Sequence, residues 1–153
     1  MRVNGYNGSV YVVELVSEIS GIYESISKSD SGLIYSGADM DVYFYVNGRS
    51  FVVTLTNGFE WDGASIPGIF RWLIGHPSDQ LFRVPSLLHD SGYGDRTKRV
   101  FHDVIFYYLL RRAGLPGWKS WLMYVAVRVG GHVFYAAESS RFWRGVRWLL
   151  DRI

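Results

Sequence analysis

The sequence predicts an α+β fold, with antiparallel β-hairpins and a small sheet first and a helical half after them. Val, Tyr, Thr and Asn-Gly pairs are frequent in residues 1–60, a composition typical of short strands and turns. From residue 65 onward, apolar residues recur at helical spacing between residues that start and stop helices. With 153 residues, 48% of them hydrophobic, the chain suits one core and is short for two. We predict a single domain over residues 1–153, β-rich over 1–60 and helical over 65–153.

The clearest local pattern is a β-hairpin. Asp41–Val46 and Ser50–Thr56 are rich in β-branched and aromatic residues. Asn47-Gly48 between them is the dipeptide that best tolerates the positive φ angles of a two-residue turn. Other Asn-Gly pairs and serine-rich stretches predict two further strands, at Ser9–Val16 and Gly21–Ile26.

Proline, threonine and glycine mark the helices of the second half. Proline suits the first turn of a helix, which predicts helix starts at Pro67, Pro85 and Pro116. A further helix is predicted from a cap at Thr97 to about Ala113, with Gly114 as its stop. Helical periodicity predicts its buried stripe: Val100, Phe101, Val104, Ile105, Tyr108 and Leu109.

The last segment, from Ser139 or Ser140 to Ile153, is an amphipathic helix candidate. Its apolar stripe is Phe142, Val146, Leu149 and Ile153, and arginines and two tryptophans surround it. Such a segment could dock on the domain, on a partner or on a membrane surface.

Charge and cysteine content exclude several classes of protein. The net charge of +2 divides into −4 over residues 1–76 and +6 over residues 77–153, without any run of five like charges. This disfavours a disordered charged tail and a polycationic nucleic-acid-binding segment. The absence of cysteine excludes disulfides, thiolate metal sites and cysteine nucleophiles. Any chemistry must use imidazole, carboxylate, hydroxyl or backbone groups.

Polar residues interrupt the apolar helical segments LLHDSGYGD and FHDVIF. On one helix, His89 and Tyr93 share a face, whereas Asp90 is turned by about 100°. If the next helix folds back, the Asp103 carboxylate comes within about 2.6–3.2 Å of His89. That contact would fix the imidazole tautomer and make His89 a general base. The same contacts are also an ordinary way to satisfy buried polar groups between helices.

The loop WDGASIP precedes these helices. Gly63 suits close backbone packing, and Ser65 could cap a helix before Pro67. Asp62 either braces this turn or supplies a ligand.

Four segments occur in the order FEWDGASIP, LLHDSGY, FHDVIF and YVAVRVGG, within residues 50–131. Together they resemble a phage and prophage family of unknown function. Its signature is a DGAS-I/V-P loop, an HD-x-x-Y helix and a downstream Asp-x-x-Phe helix. The resemblance implies a phage or prophage protein.

The HD-x-x-Y and Asp-x-x-Phe helices also resemble the catalytic helix pair of secreted and parvoviral phospholipase A₂. This resemblance implies that His89 activates water, Asp90 binds calcium, Tyr93 braces the site and Asp103 orients His89. It implies calcium-dependent hydrolysis of a lipid or other ester, with Asp62 as a second metal ligand. The Tyr-x-Gly-x-Gly calcium loop of those enzymes has no clean counterpart in this sequence.

Two other interpretations remain open. An HD phosphohydrolase pattern can be placed on His76, His89, Asp90 and Asp103, although their spacing is close for it. Alternatively, the protein is a non-enzymatic virion (tail) component or a host-directed protein-binding module, in which the motif is structural.

The expected partners follow from these interpretations. We expect a phage structural or host protein, or a lipid or ester substrate if the protein is an enzyme, and membrane contact through residues 139–153. Nucleic acid is disfavoured because the arginines are scattered. With no signal peptide or spanning segment predicted, we expect a virion or host-cytoplasm location.

Overall fold

The structure, a computed structural model, describes residues 1–5, 7–30, 32–63, 74–76, 79–92 and 98–137, with the backbone alone for 130–137. The described strands are β1 (Arg2–Asn4), β2 (Val10–Leu15), β3 (Ile26–Lys28), β4 (Leu33–Tyr35), β5 (Met40–Val46), β6 (Arg49–Leu55) and β7 (Phe59–Trp61). The helices are α1 (Ser20–Glu24), α2 (Gln80–Ser91), α3 (Arg99–Arg112) and α4 (Gly117–Ala137). This order confirms the α+β prediction. The predictions for Pro67, Thr97 and residues 139–153 lie outside the described residues.

The strands form two antiparallel sheets. Four strands pair in the order β1-β2-β5-β6, and three pair in the order β3-β4-β7. Buried and exposed residues alternate along β5 and β6, as expected when an antiparallel sheet packs on one face and meets solvent on the other.

The predicted hairpin at Asn47-Gly48 is confirmed. Asn47 has φ 51° and Gly48 has φ 74°, the two positive angles that a two-residue hairpin turn needs. Val46 pairs with Arg49 across the turn. The Asn47 side-chain oxygen also accepts a hydrogen bond of 2.7 Å from the Val12 N–H, so the turn is fastened to β2 as well.

Helices α2 and α3 cover the buried face of the four-stranded sheet, and α4 packs on α3. Asp103, Val104, Ile105 and Phe106 are four consecutive buried residues of α3. Because successive helical residues are turned by about 100°, α3 is surrounded on almost all sides. The predicted stripe of α3 was therefore too narrow. Among the described residues, no helix is long and apolar enough to cross a membrane.

One predicted helix start and one predicted strand were wrong. Helix α2 begins at Gln80 rather than at Pro85, which lies inside it. Asp79 is the N-cap: its carbonyl accepts the Phe82 N–H at 2.9 Å, and its carboxylate bonds backwards to the His76 N–H at 3.0 Å. The proposed strand Gly21–Ile26 is mostly the short helix α1, whose start is held by a bond of 2.9 Å from the Ser20 N–H to the Glu18 carboxylate.

Replacing Gly48 by alanine tests the hairpin turn. Gly48→Ala should lower the free energy of unfolding by about 1 kcal/mol, because an L side chain is strained at positive φ, although a Cβ would have open space there. Gly21→Ala is the matched control, since Gly21 also has open space and lies in α1, where alanine favours helix. Denaturant unfolding should show a loss in the first variant alone. Equal stability of Gly48→Ala and the parent would contradict the turn assignment.

Candidate functional site

His89 and Asp103 meet across the interface between α2 and α3. His89 lies in the last turn of α2 and Asp103 in the second turn of α3. The distance from His89 Nε2 to Asp103 Oδ1 is 2.8 Å, which confirms the predicted contact. Asp103 is 0% exposed and His89 is 6% exposed, so this hydrogen bond lies in a poorly hydrated interior.

Two arginines hold the other oxygen of Asp103. Arg128 on α4 donates to Asp103 Oδ2 at 2.9 Å, and Arg99 Nε lies 3.8 Å from the same oxygen. Arg99 Nη2 also donates to the Val127 and Arg128 carbonyls, at 2.8 and 3.1 Å. One buried carboxylate thus joins α2, α3 and α4. Sequence reasoning missed this role of Arg128, although a single arginine interrupting the apolar run YVAVRV was a usable signal.

Asp90 lies on the opposite side of the His89 ring from Asp103. Its Oδ1 is 3.1 Å from His89 Nδ1, and its side chain is 31% exposed. The imidazole is therefore held between one fully buried carboxylate and one that water can reach.

Burial and the two carboxylates act on the pKa of His89 in opposite directions. Burial lowers it, because the charged imidazolium loses hydration. The hydrogen bonds and negative charges of Asp103 and Asp90 raise it and outweigh burial, so the pKa of His89 lies above its ordinary value. The two carboxylates therefore stabilise the protonated form of His89 by more than burial destabilises it.

The partners also decide which nitrogen keeps a proton when His89 is neutral. Asp103 is fixed by Arg128, so Nε2 keeps its hydrogen and donates to Asp103. The Nδ1 lone pair then faces an Asp90 oxygen at 3.1 Å, and two acceptors at this distance repel. When His89 is neutral, this repulsion is relieved if Asp90 moves away, or if a proton donor such as water enters between the two groups.

His102 lies against Gly92, the residue at which α2 ends. His102 is 4% exposed, and its ring packs edge-on against Phe51 with centroids 4.8 Å apart. A Cβ on Gly92 would overlap the His102 ring. Gly92 has φ −83°, an angle open to any residue, so this position requires glycine for space rather than for backbone conformation. Sequence reasoning did not single out this pair.

The sequence comparisons place this geometry in a family. Residues 40–127 match the family described as "Protein of unknown function (DUF1353)", which is more than half of the chain. The chain belongs to this family. The match runs from β5 into α4 and contains the His89–Asp103 pair. It stops one residue before Arg128 and leaves out β1 to β4.

One curated relative of this DUF1353 chain is an uncharacterized protein, y4jT, from Sinorhizobium fredii (strain NBRC 101917 / NGR234). It is 42% identical over 85 residues, covering 49% of this chain and 25% of the relative. The chain thus corresponds to about a quarter of that protein's length. No solved structure matches this chain.

The remaining predicted site residues of the DUF1353 chain are only partly placed. Gly63 is buried and has φ 87°, an angle that favours glycine, and Asp62 is exposed. Ser65 and Tyr93 lie outside the described residues. Trp61, just before this loop, donates from Nε1 to Ser86 Oγ at 2.9 Å, and Ser86 is one helical turn before His89.

The carboxylates do not form a metal cage in the described part of the DUF1353 chain. No group of three or more His, Asp or Glu side chains there could hold an ion. Asp62 and Asp90 therefore do not belong to such a group. The set of the phosphohydrolase interpretation does not form one either: His76, His89, Asp90 and Asp103. Calcium prefers six to eight oxygen ligands, so these residues alone do not fit it, and calcium binding stays a prediction.

The raised pKa of His89 predicts a pH-dependent stability. A histidine whose folded pKa exceeds its unfolded value, about 6.5, stabilises the fold fully below that pH and loses this contribution as the pH rises through the folded pKa. The free energy of unfolding should therefore fall above about pH 6.5, and NMR titration of the His89 ring should give a midpoint above that value. His89→Gln should remove this part of the slope. A midpoint below 6.5 would contradict the assigned contacts.

The Gly92–His102 contact predicts a steric effect. Gly92→Ala should lower the free energy of unfolding by about 2 kcal/mol, because overpacking a filled interior forces its neighbours to move. In a His102→Ala background, the same substitution should cost much less, since the ring that it meets is gone. Denaturant unfolding of the four proteins measures this coupling. An equal cost in both backgrounds would show that His102 is not the obstacle.

Proposed function

We propose that this protein is a hydrolase in which His89 is the general base and Asp103 orients it. The contact of 2.8 Å between His89 Nε2 and Asp103 Oδ1 carries this proposal, because it leaves Nδ1 as the nitrogen able to accept a proton. Nδ1 lies on the side of Asp90, the carboxylate that water reaches. An ester is the proposed substrate class, on the resemblance of the two helices to phospholipase A₂.

The chemistry follows from the neutral form of His89. A water molecule donates one hydrogen to Nδ1 and the other to the displaced Asp90 carboxylate, which satisfies both acceptors. As the water oxygen bonds to the ester carbonyl carbon, Nδ1 takes its proton and the imidazolium forms between two carboxylates. When the tetrahedral intermediate collapses, the carbon–oxygen bond to the alcohol breaks and Nδ1 returns the proton to that leaving group.

Asp103 has a positioning role in this scheme. Its buried carboxylate stabilises the imidazolium as it forms, and Arg128 prevents the carboxylate from turning away. Calcium is not used in any of these steps, and its involvement is a separate proposal that rests on the phospholipase resemblance.

Origin in a phage or prophage is likewise proposed from the sequence motifs alone.

The second candidate function, a virion component or host-directed protein-binding module, is favoured by one observation. The solvent-facing side of the four-stranded sheet exposes a cluster of apolar side chains: Val12, Tyr43, Tyr45 and Val52. Such a patch is typical of protein-binding surfaces.

Hydrolysis assays test the first proposal. The parent should release product from phospholipid vesicles or short-chain esters, with a rate that rises with pH as His89 loses its proton. His89→Gln and Asp103→Asn should each lower kcat at least 100-fold, the usual scale for loss of a general base or its orientation. Asp41→Asn, an exposed carboxylate on β5, is the matched control and should keep the parent rate.

The hydrolysis assay is run both with added calcium and with a chelator. If Asp90 is a metal ligand, calorimetric titration of the parent should give heat of calcium binding, and Asp90→Asn should lose it while remaining folded. A parent that hydrolyses none of these substrates, with calcium or with chelator, contradicts the hydrolase proposal and favours the binding module.

A further inference from the structure

Helix α4 presents an apolar face to solvent. Trp118 is 52% exposed, Trp121 45%, Leu122 38% and Val129 50%. At 100° per residue these four positions fall within one arc of the helix. The exposed face of a surface helix is ordinarily polar, so this arc, which we call the tryptophan face, requires a reason.

The packing of α4 fixes which way the tryptophan face points. On the opposite side of the helix, Ser120, Met123 and Tyr124 are buried, and Arg128, which is close to Trp121 around the helix axis, reaches Asp103. Rotation of α4 to bury the two tryptophans would expose those residues and break the ion pair. Within the described part of the chain, the packing of α4 therefore sets the direction in which the tryptophan face points.

Basic groups border the tryptophan face near the start of α4. The Lys119 ammonium lies 5.4 Å from the centre of the Trp118 ring. A Cβ on Gly117 would lie 3.7 Å from the Arg111 guanidinium, so Arg111 lies beside the first turn. Arg112 is exposed and near enough to Glu18 to lower the pKa of that carboxyl, after the larger effect of hydrogen bonds from Ser20 and Ile19. Residues 104–137 contain no acidic residue.

We propose that the tryptophan face docks on an anionic lipid surface. Tryptophan prefers the boundary between lipid headgroups and acyl chains, and lysine and arginine beside it are attracted to anionic headgroups. The combination of exposed indoles, aliphatic side chains and a basic border matches an interfacial helix. The proposal is independent of any catalytic role of His89.

Two other occupants fit less well. A second copy of this chain would bring like-charged borders together without carboxylates from residues 104–137 to pair them. The sixteen residues 138–153, if helical, span about 24 Å. Folding back from Ala137, they would not reach Trp118, which is nineteen residues, or about 28 Å of helix, away. Such a segment would reach Trp121, sixteen residues from Ala137, but Trp118, the more exposed of the two tryptophans, would stay uncovered.

Vesicle sedimentation of the full chain tests the proposal. The parent should bind vesicles of phosphatidylcholine with 30% phosphatidylglycerol, bind pure phosphatidylcholine at least tenfold more weakly, and dissociate as salt is raised. Trp118→Ser/Trp121→Ser should lower the partition coefficient at least tenfold. Tyr43→Ser/Tyr45→Ser removes two exposed rings from the outer face of the sheet, 46% and 45% exposed, and should bind as the parent does.

Other outcomes would overturn the proposal. These are no vesicle binding by the parent, equal loss in the tyrosine control, or sedimentation equilibrium showing a dimer that the tryptophan variant abolishes. A Trp143→Ser/Trp148→Ser variant that loses binding, while Trp118→Ser/Trp121→Ser retains it, would assign the contact to residues 138–153 instead.

Discussion

The arrangement of the helical half depends on the buried carboxylate of Asp103. It accepts from His89 on one oxygen and from Arg128 on the other, so one group on α3 is bonded to α2 and to α4. A charge without exposure to water is tolerated only when such partners compensate its desolvation, and removing one partner from a buried pair costs about 3–5 kcal/mol. The same bonds that hold the three helices together therefore also orient the imidazole of His89.

The position of Asp90 gives the site its asymmetry. Two carboxylates flank one imidazole, but only Asp90 is reachable by water, whereas Asp103 is fixed from behind by an arginine. The unequal burial provides one side that holds the ring and another side at which a proton can be exchanged.

The sequence predicted those features of the structure that depend on the conformation and spacing of a few neighbouring residues. The Asn47-Gly48 turn needs positive φ angles that few dipeptides accept, and the His89–Asp103 contact follows from helical spacing and a short connection. Long-range packing decided the rest. Arg128 reaches Asp103 only because α4 packs on α3. Gly92 is required because the His102 ring of the next helix fills the space that a side chain would need. The helix start at Gln80 was missed because an interior proline resembled a beginning.

The hydrogen bond from Trp61 to Ser86 has a consequence for variation within such a fold. It pins the end of β7 to α2 one turn away from the imidazole. The chain therefore arrives at Gly63 from a point that is tethered to the same helix as His89. Substitutions elsewhere in β7 that keep this bond would leave the last turns of α2, and His89 with them, in place, so the strand can vary around one fixed indole.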